Sequence, residues 1–390
     1  MNLLVHNQED SIISYFRSFE YAKFDMLIDL GMKYLINCGL NVDPKVYSGI
    51  SDIHKVNDIS YSHLYHFECT TYKIKISNEK NVNWFLYLSV PDLIDGMFFK
   101  LNSTYYIPIM YIADEPIVSK ENSMLFYSIF QPITLYFSEQ RVIFMGSNYV
   151  LADFLNFITW NWDPYLRQVI EDLLNIKFNN SLTSIITHLA NRLNCLQEYD
   201  IIKDKINSLF FDDYTLKLYQ KCYNVSDIDG VIQHGLLKRY DHIVNNKIHK
   251  FNDLRFKRLI FIEMLLKPYF KAISGCSKLL LSNKNIFNLK MKINELVENF
   301  YLNLNGNCLY DTVNGFSGIL SHKATFQNPY GSGELPKEVS SIHWTHKDRI
   351  CPNSISNHDS GRDIFLVPNQ KIDLDFGLFK FSESDMELPS

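Results

Sequence analysis

The chain has 390 residues, 46% of them hydrophobic and 14% aromatic, and carries a formal net charge of −5. That length accommodates two or three domains and that apolar fraction supplies sizeable cores, which excludes a disordered chain; the negative charge excludes a small basic protein that coats DNA by itself. Seven cysteines at 38, 69, 195, 222, 276, 308 and 351, with no CxxC pair, exclude a zinc ribbon and a disulfide framework, and the lack of a leader pattern or a membrane-length apolar run leads us to expect a soluble, intracellular protein.

In chain order, residues 10–40 place apolar side chains at helical spacing (Ile12, Ile13, Phe16, Phe19, Phe24, Leu27, Ile28, Met32, Leu35), which predicts one or two amphipathic helices. From about 60 to 118 the period falls to two. TYKIKIS (71–77), NWFLYLSVP (83–91), GMFFKLN (96–102) and TYYIPIMYIA (104–113) read as successive strands joined by turns such as Asp95-Gly96. Residues 120–235 read as helix-rich, with periodic segments at 165–176, 182–197 and 214–221. The aromatic cluster Phe154, Phe157, Trp160 and Trp162 before Asp163-Pro164 has core spacing rather than that of a base-stacking platform.

Residues 238–292 hold thirteen Lys or Arg against three acids, a local charge of +10 in a chain of −5. Two readings stay open: a solvated helix face, or non-specific, salt-dependent contact with a phosphate backbone through Lys238, Arg239, Lys250, Arg255 and Arg258. Residues 308–368 concentrate Gly, Pro, His, Lys and Arg in irregular backbone, the signature of a functional loop on a rigid scaffold. Gly331 and Gly333 flank Ser332 and can turn backbone amides toward an anion, while Lys323, Lys337, Arg349 and Arg362 add positive charge, so a polyanion is the expected ligand. Gly331–Lys337 is not a P-loop, because the spacing is wrong and Pro336 would break the helix that a P-loop starts. His343-x-x-His346 with Cys351 lacks a fourth ligand for zinc, and Asp373-Leu374-Asp375-Phe376-Gly377 reads as a polar strand and turn. No Ser/His/Asp set can be picked out.

LSHK (320–323), THKDRICP (345–352) and SGRDIFLV (360–367) together resemble the fork-loop region of the β subunit of multisubunit DNA-directed RNA polymerases. That family reads Leu-Thr-His-Lys-Arg-Arg-Leu-Ser, then Thr-His-Tyr-Gly-Arg-x-Cys-Pro-Ile-Glu-Thr-Pro-Glu. Leu320, His322, Lys323, Thr345, His346, Arg349, Cys351, Pro352, Gly361 and Ile364 fall into its order. The spacing from His322 to His343 is shorter than in the family, and Asn353–Asp359 replaces the Ile-Glu-Thr-Pro-Glu stretch. Upstream, FDMLIDLGM (24–32) is similar to an element near the start of β subunits, and VPDLIDGMFFKLN (90–102) to the hairpin of the protrusion domain.

The resemblance implies an α+β fold: protrusion over 1–120, a lobe-like helix-rich insertion over 121–275, a return to the protrusion over 276–310, and a fork-loop region over 311–390. Because the chain stops at Ser390, it leads us to expect the N-terminal β fragment of a split polymerase of the jumbo-bacteriophage type. It implies nucleotidyl transfer with Mg2+ in the assembled enzyme, held by aspartates of another chain. It further implies a β C-terminal fragment, β′ fragments, a promoter-specificity subunit, template DNA and nascent RNA as partners, no membrane, and a place in the infected cytoplasm, a phage compartment or the virion. His322 and Gln327 are expected beside the RNA path, with Lys323, Arg349 and Arg362 as polyanion contacts. Ala324, Thr325 and Gln327 replace family Arg, Arg and Ser in the rifamycin pocket, which implies resistance. The alternative is a phage structural or non-specific nucleic-acid-binding protein.

Overall fold

The computed structural model describes residues 22–50, 68–77, 83–91, 99–101, 104–107, 110–244, 252–260, 263, 266–267, 269–271, 273–275, 308–309, 323–326, 342–351, 363–367 and 372–381. The fold is α+β and divides into two compact units, one of Met1–Asp114, Lys250–Ala272 and Phe287–Ser390, the other of Glu115–His249 and Ile273–Ile286. The expected turn at Asp95-Gly96 lies outside the described residues.

The first unit opens with α1 (Ala22–Asn37), whose Leu27, Ile28, Leu30, Tyr34 and Leu35 recur at helical spacing and are buried. A Cβ on Gly31 would stand 2.6 Å from Tyr269 Oη, whose hydroxyl donates to Ile28 O at 2.8 Å, so glycine is what lets the ring lie on this helix. Strands β1 (Asn41–Ile50), β2 (Glu68–Ser77) and β3 (Asn83–Pro91) form an antiparallel sheet in that order. Pro44 falls on β1, at the sheet edge, where a missing N–H costs least. β4 (Phe99–Leu101), β5 (Thr104–Ile107) and the distant β13 (Cys308–Leu309) make a second sheet in the order β13-β5-β4.

A third sheet gathers β12 (Lys257–Ile260), β6 (Met110–Asp114), β14 (Lys323–Phe326) and β15 (Asp363–Phe365), in that order. β14 runs parallel to β6, with Ala324 opposite Met110, and antiparallel to β15, with Ala324 opposite Ile364. Met110, Ile112, Leu259 and Ala324 are all at or below 1% exposure, so the sheet's centre is core. Four segments scattered over 250 residues of sequence are thus hydrogen-bonded side by side.

The second unit begins with a five-stranded antiparallel meander: β7 (Ile117–Ser119), β8 (Ser123–Phe126), β9 (Ile133–Tyr136), β10 (Arg141–Phe144) and β11 (Ser147–Val150). The reading of 120–235 as helix-rich is therefore corrected over 120–150, where Met124, Phe126, Ile133, Leu135, Val142 and Phe144 alternate into the core. The β10–β11 turn is two residues, Met145 and Gly146, at φ +51° and +69°, both in the left-handed region that a tight hairpin requires.

Six helices follow: α2 (Leu151–Ile158), α3 (Pro164–Leu174), α4 (Thr183–Leu193), α5 (Tyr199–Phe210), α6 (Asp213–Tyr223) and α7 (Ile228–Val244). Asp163 and Asp212 cap α3 and α6, each accepting two backbone N–H bonds, and Pro164 sits at the first helical position of α3. Phe154 and Phe157 are fully buried, as their spacing predicts, while Trp160 is half-buried with the Arg167 guanidinium 5.2 Å from its centroid.

Candidate functional site

Residues 342–351 form a turn of 3-10 helix (Trp344–His346) and a short exit, and buried polar groups hold the turn to the segment preceding β12. Thr345 is fully buried; its Oγ1 accepts from Leu254 N at 3.1 Å and donates to His343 Nδ1 at 2.8 Å. His346 Nε2 donates to Asn252 O at 2.6 Å, and its Nδ1 accepts from His343 N at 3.4 Å, so the ring is neutral with its proton on Nε2. Burial pushes the His346 imidazole below the ordinary histidine range; the bond to Asn252 pulls it up, the nearby His343 pushes it further down, and Asp253 pulls it up.

Downstream, Val367 N donates to Arg349 O at 2.8 Å, and Ile350 bridges Leu366 just past β15. Leu259 N of β12 donates to Gly377 O at 2.8 Å, and Arg258 bridges Leu378. The Asp373–Gly377 segment is the expected turn: Asp373 Oδ2 accepts from Phe376 N at 3.0 Å and Gly377 has φ +72°. Asp373 spends its carboxylate on its own turn. Among the described residues no group of three His, Cys, Asp or Glu is placed to hold a metal ion.

The turn carries two rings in contact with each other, each with an arginine against it. Arg255 Cζ lies 4.8 Å from the Trp344 centroid, Trp344 meets Phe381 edge-on at 6.5 Å, and Arg349 Cζ stands 4.0 Å from the Phe381 centroid. Arg349 also donates from Nη1 to Lys347 O and from Nη2 to Lys380 O, both at 3.2 Å. Lys347 and Lys380 are exposed. Of the expected site residues, then, Arg255 and Arg349 meet in one structure, with Trp344 and Phe381 between them. The two aromatic members carried no signal in the sequence, since their partners are fixed only by folding.

The other basic residues are placed differently. Lys238 pairs with the Glu115 carboxylate, with Tyr223 Oη at 3.3 Å and Ile117 O at 3.4 Å as further acceptors. Arg239 Nη1 donates to Lys120 O at 3.1 Å, and its guanidinium lies 4.5 Å from the Phe137 centroid. Arg258 is a correction: its side chain is 2% exposed and its two Nη atoms donate to the two Glu263 oxygens at 2.7 and 2.8 Å, leaving no surface for a phosphate. Its neighbour Lys257 is equally buried and pairs with Asp114. Lys323 contributes backbone to β14. His322, Gln327, Lys337, Arg362 and Lys250 lie outside the described residues, as do Gly331 and Gly333.

No family model matches the chain. Two curated proteins are similar to part of it, the DNA-directed RNA polymerase subunits beta of Borreliella burgdorferi (strain ZS7) and of Borrelia garinii subsp. bavariensis. Each is 27% identical over 158 residues. The match takes in 36% of this chain but only 13% of either relative's length. A distant relationship to the bacterial RNA polymerase β subunit is supported. The backbone agrees at one telling position: Asp348 has φ +59°, the left-handed region, where the β-subunit motif reads Gly in Thr-His-Tyr-Gly-Arg. Among the described residues no helix is long and apolar enough to cross a membrane.

Proposed function

We propose that the chain is the N-terminal β component of a multisubunit DNA-directed RNA polymerase whose β subunit is split, of the kind encoded by jumbo bacteriophages. What carries this reading is the sequence likeness to the β subunit, which takes in 36% of the chain; the left-handed turn at Asp348 supports it. The first unit takes the part of protrusion and fork, the second that of the lobe. The chain lines one wall of the DNA cleft. Arg349, Arg255, Lys323 and Arg362 contact polyanion, and His322 and Gln327 stand beside the RNA. Mg2+ and the aspartates that hold it belong to a β′ fragment, and the other partners are a β C-terminal fragment, a promoter-specificity subunit, template and transcript.

The test is co-purification of the tagged chain from infected cells, followed by transcription by the eluate with and without rifampicin. Several large partners and drug-resistant RNA synthesis are expected. A chain that elutes alone or with virion shell proteins, and makes no RNA, overturns the reading; synthesis that stops at drug levels inhibiting a bacterial polymerase overturns the resistance expected from Ala324, Thr325 and Gln327.

A further inference from the structure

A groove of about 280 Å³ lies along α3, within the second unit. Pro164, Arg167, Gln168 and Glu171 recur at i, i+3, i+4 and i+7, so one face of the helix supplies one wall. Trp160 and the segment 178–180 complete the lining. The chain leaving α3 is tied down by four bonds. Ile176 N donates to Glu171 O at 3.0 Å and Phe178 N to Glu171 Oε1 at 2.5 Å, while the buried Asn156 amide donates to Asn179 O and Asn179 Nδ2 to Asp153 Oδ1, both at 2.8 Å. The Arg167 guanidinium lies 5.2 Å from the Trp160 centroid and 5.1 Å from that of Phe178, with Nη2 donating to Asn156 Oδ1 and Nη1 to Trp160 O at 3.5 Å. The groove is therefore formed before any ligand arrives.

Its occupant follows by elimination. Pockets that enclose a whole ligand run from about 300 to 1,000 Å³, so this one, with Pro164, Gln168 and Asn180 exposed, takes an anchor from a longer chain. A second cation on the rings would meet the Arg167 guanidinium already there. An anion would meet Glu171, in a stretch (153–180) where Asp153, Asp163, Glu171 and Asp172 outnumber Arg167 and Lys177. A neutral anchor is left. The amides of Gln168 and Asn180 are donors that an aliphatic side chain would leave without acceptors. Proline in an extended segment meets both needs: its ring packs on aromatic faces, its backbone carbonyls are not bonded within their own chain, and its stiffness keeps the ordering cost low. Tyr165 at 73% and Leu166 at 42% exposure continue the apolar surface past Pro164. The surplus of acids selects Lys or Arg beside the prolines.

We propose that this groove docks an extended, proline-containing segment of a partner protein, with basic residues flanking the prolines. A proline ring sits at Trp160 and Phe178, Gln168 and Asn180 donate to the carbonyls of the segment, and the exposed Asp163 and Asp172 face its cations. The site lies within one unit and does not depend on the polymerase reading.

The test is fluorescence anisotropy of the full chain with three labelled peptides of equal length: a proline run between lysines, an alanine run between lysines, and a proline run between glutamates. The first should bind about tenfold more tightly than either of the others. Gln168→Ala with Asn180→Ala, on exposed side chains that leave the fold intact, should weaken it about tenfold, the range of two hydrogen bonds. Phe178→Leu keeps an apolar wall but removes the ring, and should weaken it several-fold. Asp172→Lys should weaken the lysine-flanked proline peptide and strengthen the glutamate-flanked one. Equal binding of the alanine and proline peptides, no binding at about 1 mM peptide, or affinities indifferent to both the amide pair and Phe178→Leu overturn the site. Tightest binding of the glutamate-flanked peptide overturns the basic flank.

Discussion

At the scale of single residues, His346 shows how a loop can be pinned by a neutral imidazole. Both ring nitrogens are engaged in the neutral form, and a second proton on Nδ1 would face the His343 N–H rather than accept from it. Burial lowers the folded pKa below the ordinary value of 6.5, so the neutral ring is favoured by folding. The sign follows from linkage: this contribution is complete above pH 6.5 and is lost as pH falls through the lower folded value. His234 is shifted in the same direction, mainly by burial, but lies in the other unit. Protection factors at 254–260, taken against the intrinsic exchange rate at each pH, should therefore fall below about pH 6.5 in the wild type and less steeply in His346→Gln; parallel curves reject this account. The buried pair Arg258–Glu263 makes a second, pH-independent prediction. Arg258→Met should cost about 3–5 kcal/mol by stranding a carboxylate, while Arg258→Met with Glu263→Leu should recover most of it. Denaturant midpoints decide, and a single-variant loss below about 1 kcal/mol, the range of an exposed pair, sinks the idea.

At the scale of elements, three helices of the second unit end alike. Asn175, Asn194 and Asn224 close α3, α4 and α6 at φ +51°, +51° and +55°, and each N–H bonds back to a carbonyl of its helix. Asparagine is the non-glycine residue that tolerates this conformation best, but it still bears a Cβ. Asn194→Gly should raise stability by up to about 1 kcal/mol and Asn194→Ala lower it by a similar amount, read from thermal unfolding; equal melting of the two variants contradicts a backbone cause. What was legible here follows from unbroken period-two patterning; ten-residue β1, which carries Pro44, did not show it. Ten-residue β2 and nine-residue β3 repeat period two long enough to be read, and Asp163-Pro164 marks a helix start by its chemistry. The strands of the 117–150 meander are three or four residues long, and over so few positions period two and period 3.6 cannot be told apart. The blocks at 320–323, 345–352 and 360–367 carry their resemblance by residue identity rather than by periodicity. The roles of Lys238 and Lys257 were not legible, because their carboxylate partners lie 123 and 143 residues away in the sequence.

At the scale of the whole molecule, the two units are built from contacts of very different reach. In the second, the meander pairs each strand with the next across short turns, and its helices follow in immediate succession. In the first, β6 pairs with β12 and β14, strands that lie 143 and more than 200 residues downstream, and β15 closes the sheet from residue 363 onward. Loop-closure entropy must be met before such pairings return any stabilisation, so distant pairing slows folding far more than it weakens the product. The second unit is therefore expected to gain its structure first, by about tenfold or more in rate. Pulse-labelled hydrogen exchange on the refolding full chain measures this directly, with peptides from 123–144 reporting the meander and peptides from 110–114 and 257–260 reporting the mixed sheet. Protection of the meander should be complete while the β6–β12 amides still exchange. Simultaneous protection would mean that the local pairings of the second unit do not hold until the distant ones form, and that its core is not self-sufficient despite the burial of Phe126, Leu135 and Phe144 within it.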